Sequence, residues 1–272
     1  MKKKFATVPL SHTEQQLYLR LESEGQNVFR VSDLRGQGLP FSYGHLRVLI
    51  QRLEKKGWLT SLGKGVHLRL PASAALSGKT YLEDPFKVAL KLFRGYLAFQ
   101  SALKIHGLSE YEPFTIYVAT RNKSETIGLL KQYEVRAITF RKRYAGYEKK
   151  DGYVVSTVAK TFFDCFFHPH YAGGYTEVLK SLHSCESIDW EEFRKHLEKF
   201  ASDNLCQKIG YLLSLMAKAD YKVPKAVTSY LRSRVNAKIR LDQKRKGGKL
   251  VQEWKLYDNI GEHKLLSWWL HG

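Results

Sequence analysis

The side chains best suited to chemistry with a polyanion lie on one stripe of a short segment: Arg47, Gln51, Arg52 and Lys55. Guanidinium and carboxamide groups match the donor and acceptor edges of guanine and adenine in a DNA major groove, whereas lysine meets phosphate as a point charge. Gly44 and Val48 share the stripe, and Gly44 lets a helix approach another molecule closely. Ser42 and Tyr43 stand where such a helix would begin, and Lys64 sits between Gly63 and Gly65, at the tip of a tight turn. The plain alternative is an amphipathic helix whose charges are merely solvated.

A second basic region runs from Lys222 to Lys255, where 11 Lys/Arg stand against Asp242 and Glu253. Arg240, Lys244, Arg245 and Lys246 are its densest part. Such cations give affinity and salt dependence without reading sequence. Other groupings are weaker. Cys165, His168 and His170, with His183 and Cys185 nearby, lack a standard zinc spacing and are interleaved with Phe166, Phe167 and Pro169. His106, before Gly107, reads as an imidazole satisfying carbonyls at a helix end. Asp151 and Asp164 are the carboxylates a nuclease would need, but no Asp/Glu-x-Lys strand pair accompanies them. Asp164 reads instead as a hydrogen-bond acceptor at the edge of the core. Gly63-Lys64-Gly65 is too short to cradle a nucleotide. No catalytic residue, cofactor or metal is expected.

The elements that must position the first stripe are legible. Ser42 is an N-cap, Gly57 a stop, and Leu46, Leu49, Ile50 and Leu53 recur at helical spacing on the opposite face. Two apolar runs, 58–61 and 66–70, flank the glycine turn as a hairpin. Upstream, Ser11 and Glu14 form a capping box before a helix carrying Leu17, Tyr18 and Leu21. An extended piece at 28–30 and a short helix at 32–35 follow. Helix, strand, short helix, glycine-containing turn, basic helix and hairpin is the winged helix-turn-helix order.

Beyond it, residues 71–80 read as a linker. Asp84 and Pro85 start a helix that Gly95-Tyr96 breaks. A second helix spans 98–105, and strands are expected at 115–120, 135–140 and 153–156. A helix is expected at 124–133, and another after Ser156 or Thr157. Further helices are expected at 175–185, 190–200, 203–219 and 225–238, with a strand at 251–257.

The chain has 272 residues, a formal net charge of +19 and a pI near 9.7. Residues 1–70 hold 12 Lys/Arg against 5 Asp/Glu, 71–200 hold 19 against 15, and 201–272 hold 14 against 6. Two basic ends around a nearly balanced middle point to a polyanionic partner. Three widely spaced cysteines imply no disulfide framework. No apolar run follows Met1-Lys2-Lys3-Lys4 and none approaches 18 residues, so a cytoplasmic protein without leader or membrane span is expected. The apolar ending Leu265-Leu266-Ser267-Trp268-Trp269 is expected to fold back onto its own domain rather than stay exposed.

The stretch from Gly95 to Leu108, with His106-Gly107-Leu108 at its end, resembles a block of the AbiEi-type antitoxins, the regulator half of type IV toxin–antitoxin systems. The run Ile116–Thr120, the run Val154–Asp164, the run Leu205–Leu213, and Gly247-Gly248 with Trp254 and Asn259 resemble later blocks of that family. The resemblance implies a non-enzymatic regulator that binds a double-stranded DNA operator and represses its own operon. It also implies that the regulator counteracts a nucleotidyltransferase-like toxin, without requiring direct contact. The fold expected is α+β: an N-terminal winged helix-turn-helix (1–72) followed by an α/β antitoxin domain (80–272) whose C-terminal half is mainly helical and basic. The alternatives are a nucleic-acid enzyme such as a nuclease, or a non-enzymatic architectural protein binding RNA or DNA.

Overall fold

The computed structural model describes residues 9–77 and 82–270. The chain runs α1 (His12–Ser23), β1 (Val28–Arg30), a 3-10 turn (Val31–Leu34), α2 (Tyr43–Lys55), β2 (Leu59–Gly63), β3 (Val66–Arg69), α3 (Ala72–Ser77) and α4 (Pro85–Leu92). It continues through β4 (Gly95–Leu97), α5 (Phe99–Ile105), β5 (Thr115–Thr120), β6 (Glu125–Leu129), β7 (Tyr133–Thr139), β8 (Tyr147–Lys150) and β9 (Tyr153–Ser156). Then come α6 (Val158–Phe167), α7 (Tyr175–His183), α8 (Trp190–Phe200), α9 (Asp203–Met216) and α10 (Lys225–Ser233). The chain closes with β10 (Ile239–Arg240), β11 (Lys249–Val251), β12 (Leu256–Asp258), α11 (Glu262–Leu265) and α12 (Ser267–Leu270). It divides into two compact units: Met1–Gly95 with Phe114–Ile116 and Ser124–Ala137, and Tyr96–Pro113 with Tyr117–Lys123 and Ile138–Gly272.

In the first unit the expected capping box is formed. Glu14 N–H donates to Ser11 Oγ at 3.4 Å, and Ser11 N–H donates to Glu14 Oε2 at 2.7 Å. The core joins Leu17 and Leu21 of α1, Phe29, Leu34, the buried stripe of α2 and Leu59. Strands β1, β3 and β2 form an antiparallel sheet in that order, with Val28 opposite Leu68 and Thr60 opposite Leu68 on its other side. Helix α4 packs on β1, and Arg30 of that strand donates to the carbonyls of Lys91 and Leu92.

Several expectations need correction here. The short helix expected at 32–35 is present as a 3-10 helix, Val31–Leu34, but part of the supposed linker is α3; residues 78–81 lie outside the described residues. The helix expected at 124–133 is the antiparallel pair β6–β7, in register Glu125 to Ala137. Leu130 and Lys131 at its corner have φ of 52° and 58°. Two successive positive φ values make the tight turn that matches strand twist, and no helix can pass through them.

In the second unit β9 pairs antiparallel with β8 and parallel with β4, and β5 follows β4. Strands β4 and β8 were not foreseen. Asp151 (φ 49°) and Gly152 (φ 82°) form the β8–β9 corner, so this carboxylate belongs to a hairpin turn. The helical part buries Phe162, Phe163 and Phe166 of α6 against Phe193 and Leu197 of α8 and Ile209 and Leu212 of α9. A small sheet, β10-β12-β11, completes the unit. The strand expected at 251–257 is interrupted by a 3-10 turn at Gln252–Trp254 and by Lys255 at φ 42°. The interruption turns the Trp254 indole inward onto Gly210, where a Cβ would stand 2.1 Å from the ring. Helix α10 ends at Ser233, short of the expected 238.

The apolar ending folds back only in part: Leu265 and Leu266 are buried, whereas Trp269 stays 41% exposed. The Trp268 and Trp269 rings lie 5.0 and 4.9 Å from the His183 ring, and Trp268 Nε1 donates to the Leu265 carbonyl at 3.0 Å. Among the described residues no helix is long and apolar enough to cross a membrane.

Candidate nucleic-acid interface

Helix α2 starts where expected. Ser42 is extended (φ −62°, ψ 157°) and its Oγ accepts from His45 N–H at 3.3 Å. Burial of Leu46, Leu49, Ile50 and Leu53 against α1 and the sheet fixes the rotation of the helix about its axis. That rotation turns Ser42, Tyr43, Gly44, Arg47, Val48, Gln51, Arg52 and Lys55 to solvent. Arg52 and Lys55 also lie in the last turn, where cations favour the helix terminus electrostatically. Among the described residues no carboxylate is paired with Arg47, Arg52 or Lys55; the neighbouring Lys56 is instead committed to Glu14 at 2.6 Å. The Arg35 guanidinium lies 3.9 Å over the Tyr43 ring and holds it at the start of the helix.

Between α2, the 3-10 turn and the β2–β3 hairpin lies a groove of about 500 Å³, lined by Arg30, Tyr43, Arg47, Gln51, Glu54 and His67 among others. At one side Glu54 Oε1 is 2.8 Å from His67 Nδ1 and ties helix to hairpin. Lys64 occupies the hairpin tip with φ 51°. It is not a free cation: its Nζ is 2.5 Å from Glu125 and lies 4.5 Å over the Phe93 ring.

Arg240, Lys244, Arg245 and Lys246 form a separate group in the second unit, all exposed. Arg240 ends β10, and the other three follow in a turn clasped by Asn259. Its Nδ2 donates to the carbonyls of Asp242 and Arg245, both at 2.7 Å, and its Oδ1 accepts from Asp242 N–H at 3.0 Å. Beside the turn, Lys238, Ile239, Arg240, Gln243 and Tyr257 line an open groove of about 480 Å³. Gln207 braces this end by donating to the carbonyls of Ala237 and Trp254, each at 2.9 Å. Arg232, Arg234 and Lys255 are engaged by Glu253, Asp203 and the Asn236 carbonyl.

The second unit also buries charge. Asp164 is not an edge acceptor: it forms an ion pair with Lys160, one turn earlier on α6, and both side chains are 0% exposed. Burial pushes the Asp164 carboxyl up to about 6 against the pull of Lys160 and Arg143. Burial likewise lowers Lys160, against the attraction of Asp164. Among the described residues Asp164 Oδ1 has no hydrogen-bond partner. His168 accepts from Arg143 Nη2 at 3.3 Å; burial, then Arg143 and His170, bring its pKa down to about 4. Cys165 faces the core, and the Cys185 thiol donates to the Ser187 carbonyl at 3.2 Å. His106 bonds the Ser156 carbonyl at 2.7 Å, a partner on β9 rather than on its own helix. Among the described residues no group of three His, Cys, Asp or Glu side chains is placed to hold a metal ion.

Residues 16–67 match the family of AbiEi antitoxin transcriptional regulators. The AbiEi match spans α1 to β3 and contains Ser42, Tyr43, Arg47, Gln51, Arg52, Lys55 and Lys64; Arg240, Lys244, Arg245 and Lys246 lie outside it. The fold is also that of the RV2827C protein from Mycobacterium tuberculosis, whose crystal structure superposes with a TM-score of 0.67 over 97% of both chains at 17% identity. No curated protein sequence matches the chain.

The AbiEi-matching segment holds groups that sequence reasoning passed over. Arg35, stacked on Tyr43, reads in the sequence only as part of a short helix. The Glu54–His67 pair links residues 13 apart through the hairpin register, which no local pattern announces. The engagement of Lys64 by Glu125 joins residues 61 apart.

Proposed function

We propose that the chain is a DNA-binding transcriptional repressor of the AbiEi antitoxin type, with no enzymatic activity of its own. On this reading the segment from α1 to β3 is a winged helix-turn-helix. Helix α2 enters the major groove, Arg47, Gln51 and Arg52 read base edges, and Ser42, Tyr43 and Lys55 meet the flanking backbone. The observation that carries it is the exposed face of α2, where guanidinium and carboxamide groups stand without carboxylate partners among the described residues, on a helix whose rotation is fixed by its core. Lys64 reaches a phosphate only by exchanging Glu125 for it. Arg240, Lys244, Arg245 and Lys246 add phosphate contacts that raise affinity without selecting sequence.

The repressor acts at a double-stranded operator ahead of its own operon, in the cytoplasm, and counters a nucleotidyltransferase-like toxin without needing to touch it. The match of residues 16–67 to the antitoxin regulators supports this assignment. Fluorescence anisotropy with duplex DNA from the region upstream of the gene, against a shuffled duplex of equal length, tests it. The upstream duplex should bind at least tenfold more tightly at 150 mM salt. Equal binding of the two duplexes would remove the operator from the account.

A further inference from the structure

We propose, resting on the reading that α2 enters the major groove, that Val48 selects a thymine in the recognised site through the 5-methyl group of that base. Val48 lies outside the stripe of Leu46, Leu49, Ile50 and Leu53 that binds α2 to its core, and is 43% exposed. Its neighbours on the open face, Arg47, Gln51 and Arg52, are all exposed and polar. A β-branched residue on an exposed helix face is neither a strong helix former nor well solvated, so the fold itself gives no reason for it.

Gly44, one turn earlier, adds a second observation. Its φ is not in the left-handed region, and a Cβ added there would meet no atom within 4 Å. Neither backbone geometry nor packing inside the chain therefore requires glycine. Side chains on a helix lean toward its N-terminus, so Val48 projects over the notch that Gly44 leaves. An isopropyl group beside an open notch, framed by base-reading side chains, fits a small apolar group on the DNA. In the major groove that group is the thymine methyl, which cytosine, adenine and guanine lack.

The test uses the full chain. Duplexes are selected from a random-sequence pool, and each thymine of the enriched site is then replaced in turn by deoxyuracil. Removing one buried methyl is worth about 0.8 kcal/mol, or about fourfold in Kd. One thymine should show this loss with the wild-type protein and a clearly smaller one with Val48→Ala, which keeps only its Cβ to meet the methyl; the thermal melting of that variant should be unchanged because the side chain is exposed. An enriched site with no methyl-sensitive thymine overturns the proposal alone, as does a sensitivity undiminished in Val48→Ala. A Val48→Ala protein that keeps its DNA affinity but changes its sedimentation assigns the residue to a protein contact and also overturns it. A pool that yields no enriched sequence overturns both this inference and the reading of α2 on which it rests.

Discussion

Replacing Asp164 by Asn should destabilise the second unit more than any surface change. The two residues of the Lys160–Asp164 pair are one helical turn apart and wholly shielded from water. In Asp164→Asn the ammonium loses its counter-charge and keeps a neutral carboxamide oxygen and two ring faces, Phe140 at 4.8 Å and Phe163 at 5.6 Å, while Arg143 still repels it. Those rings already face it in the wild type, so they return nothing on mutation. Removing one member of a buried ion pair typically costs about 3–5 kcal/mol, because the other charge stays buried or must lose its proton. For a unit of this size that is a fall in Tm of roughly 6–20 °C.

Four of the five tryptophans, Trp190, Trp254, Trp268 and Trp269, lie in this unit, so urea and thermal unfolding followed by tryptophan fluorescence reports on it directly. The double variant Lys160→Met, Asp164→Leu removes both charges and should recover most of the loss, since well-packed apolar replacements of buried pairs are often neutral or stabilising. An Asp164→Asn protein within about 1 kcal/mol of wild type would refute the reasoning. So would a double variant no more stable than the single one.

Two further outcomes follow from the same geometry. His168 titrates in the fold near 4, below its ordinary 6.5, so the unfolded chain takes up that proton first as pH falls. Its contribution is complete above about 6.5 and is lost as pH falls toward 4, at no more than about 1.4 kcal/mol per pH unit for one proton. His168→Gln should flatten the fall of the urea midpoint across that window, and an unchanged slope would contradict the assignment. Glu125→Gln should release Lys64 for phosphate, raising affinity for any duplex and steepening the plot of log affinity against log salt by about 0.9. Weaker binding would show that Glu125 orders the hairpin tip rather than competing for it.

How much of this was legible in the sequence depended on whether the signal was local. Helix α2 and its buried stripe could be read because capping and helical spacing are encoded within a few turns. Gly63-Lys64-Gly65 announced its hairpin for the same reason. The β6–β7 turn could not be read this way, because Leu130 and Lys131 adopt positive φ without the glycine or asparagine that usually signals it. The β8–β9 hairpin does carry a signal, Asp151-Gly152, but a carboxylate ahead of a strand reads equally as a candidate catalytic group and as a turn residue. Lys160 and Asp164 stand at i and i+4, which on most helices is an exposed pair; only the packing of α6 on every side turns it into a buried one. The state of Lys64 depended on a strand 61 residues away, beyond the reach of any local pattern.

The central claim, that α2 reads base edges, is tested most directly by measuring Arg47→Ala, Gln51→Ala and Arg52→Ala on a selected site and on random duplex at the same salt. Loss of a base contact should cost about 1–3 kcal/mol on the selected site, roughly 5- to 150-fold, and relax the preference at one position. Binding to random DNA should change far less. Equal losses on both duplexes for all three variants would make α2 a phosphate-binding helix and contradict the account.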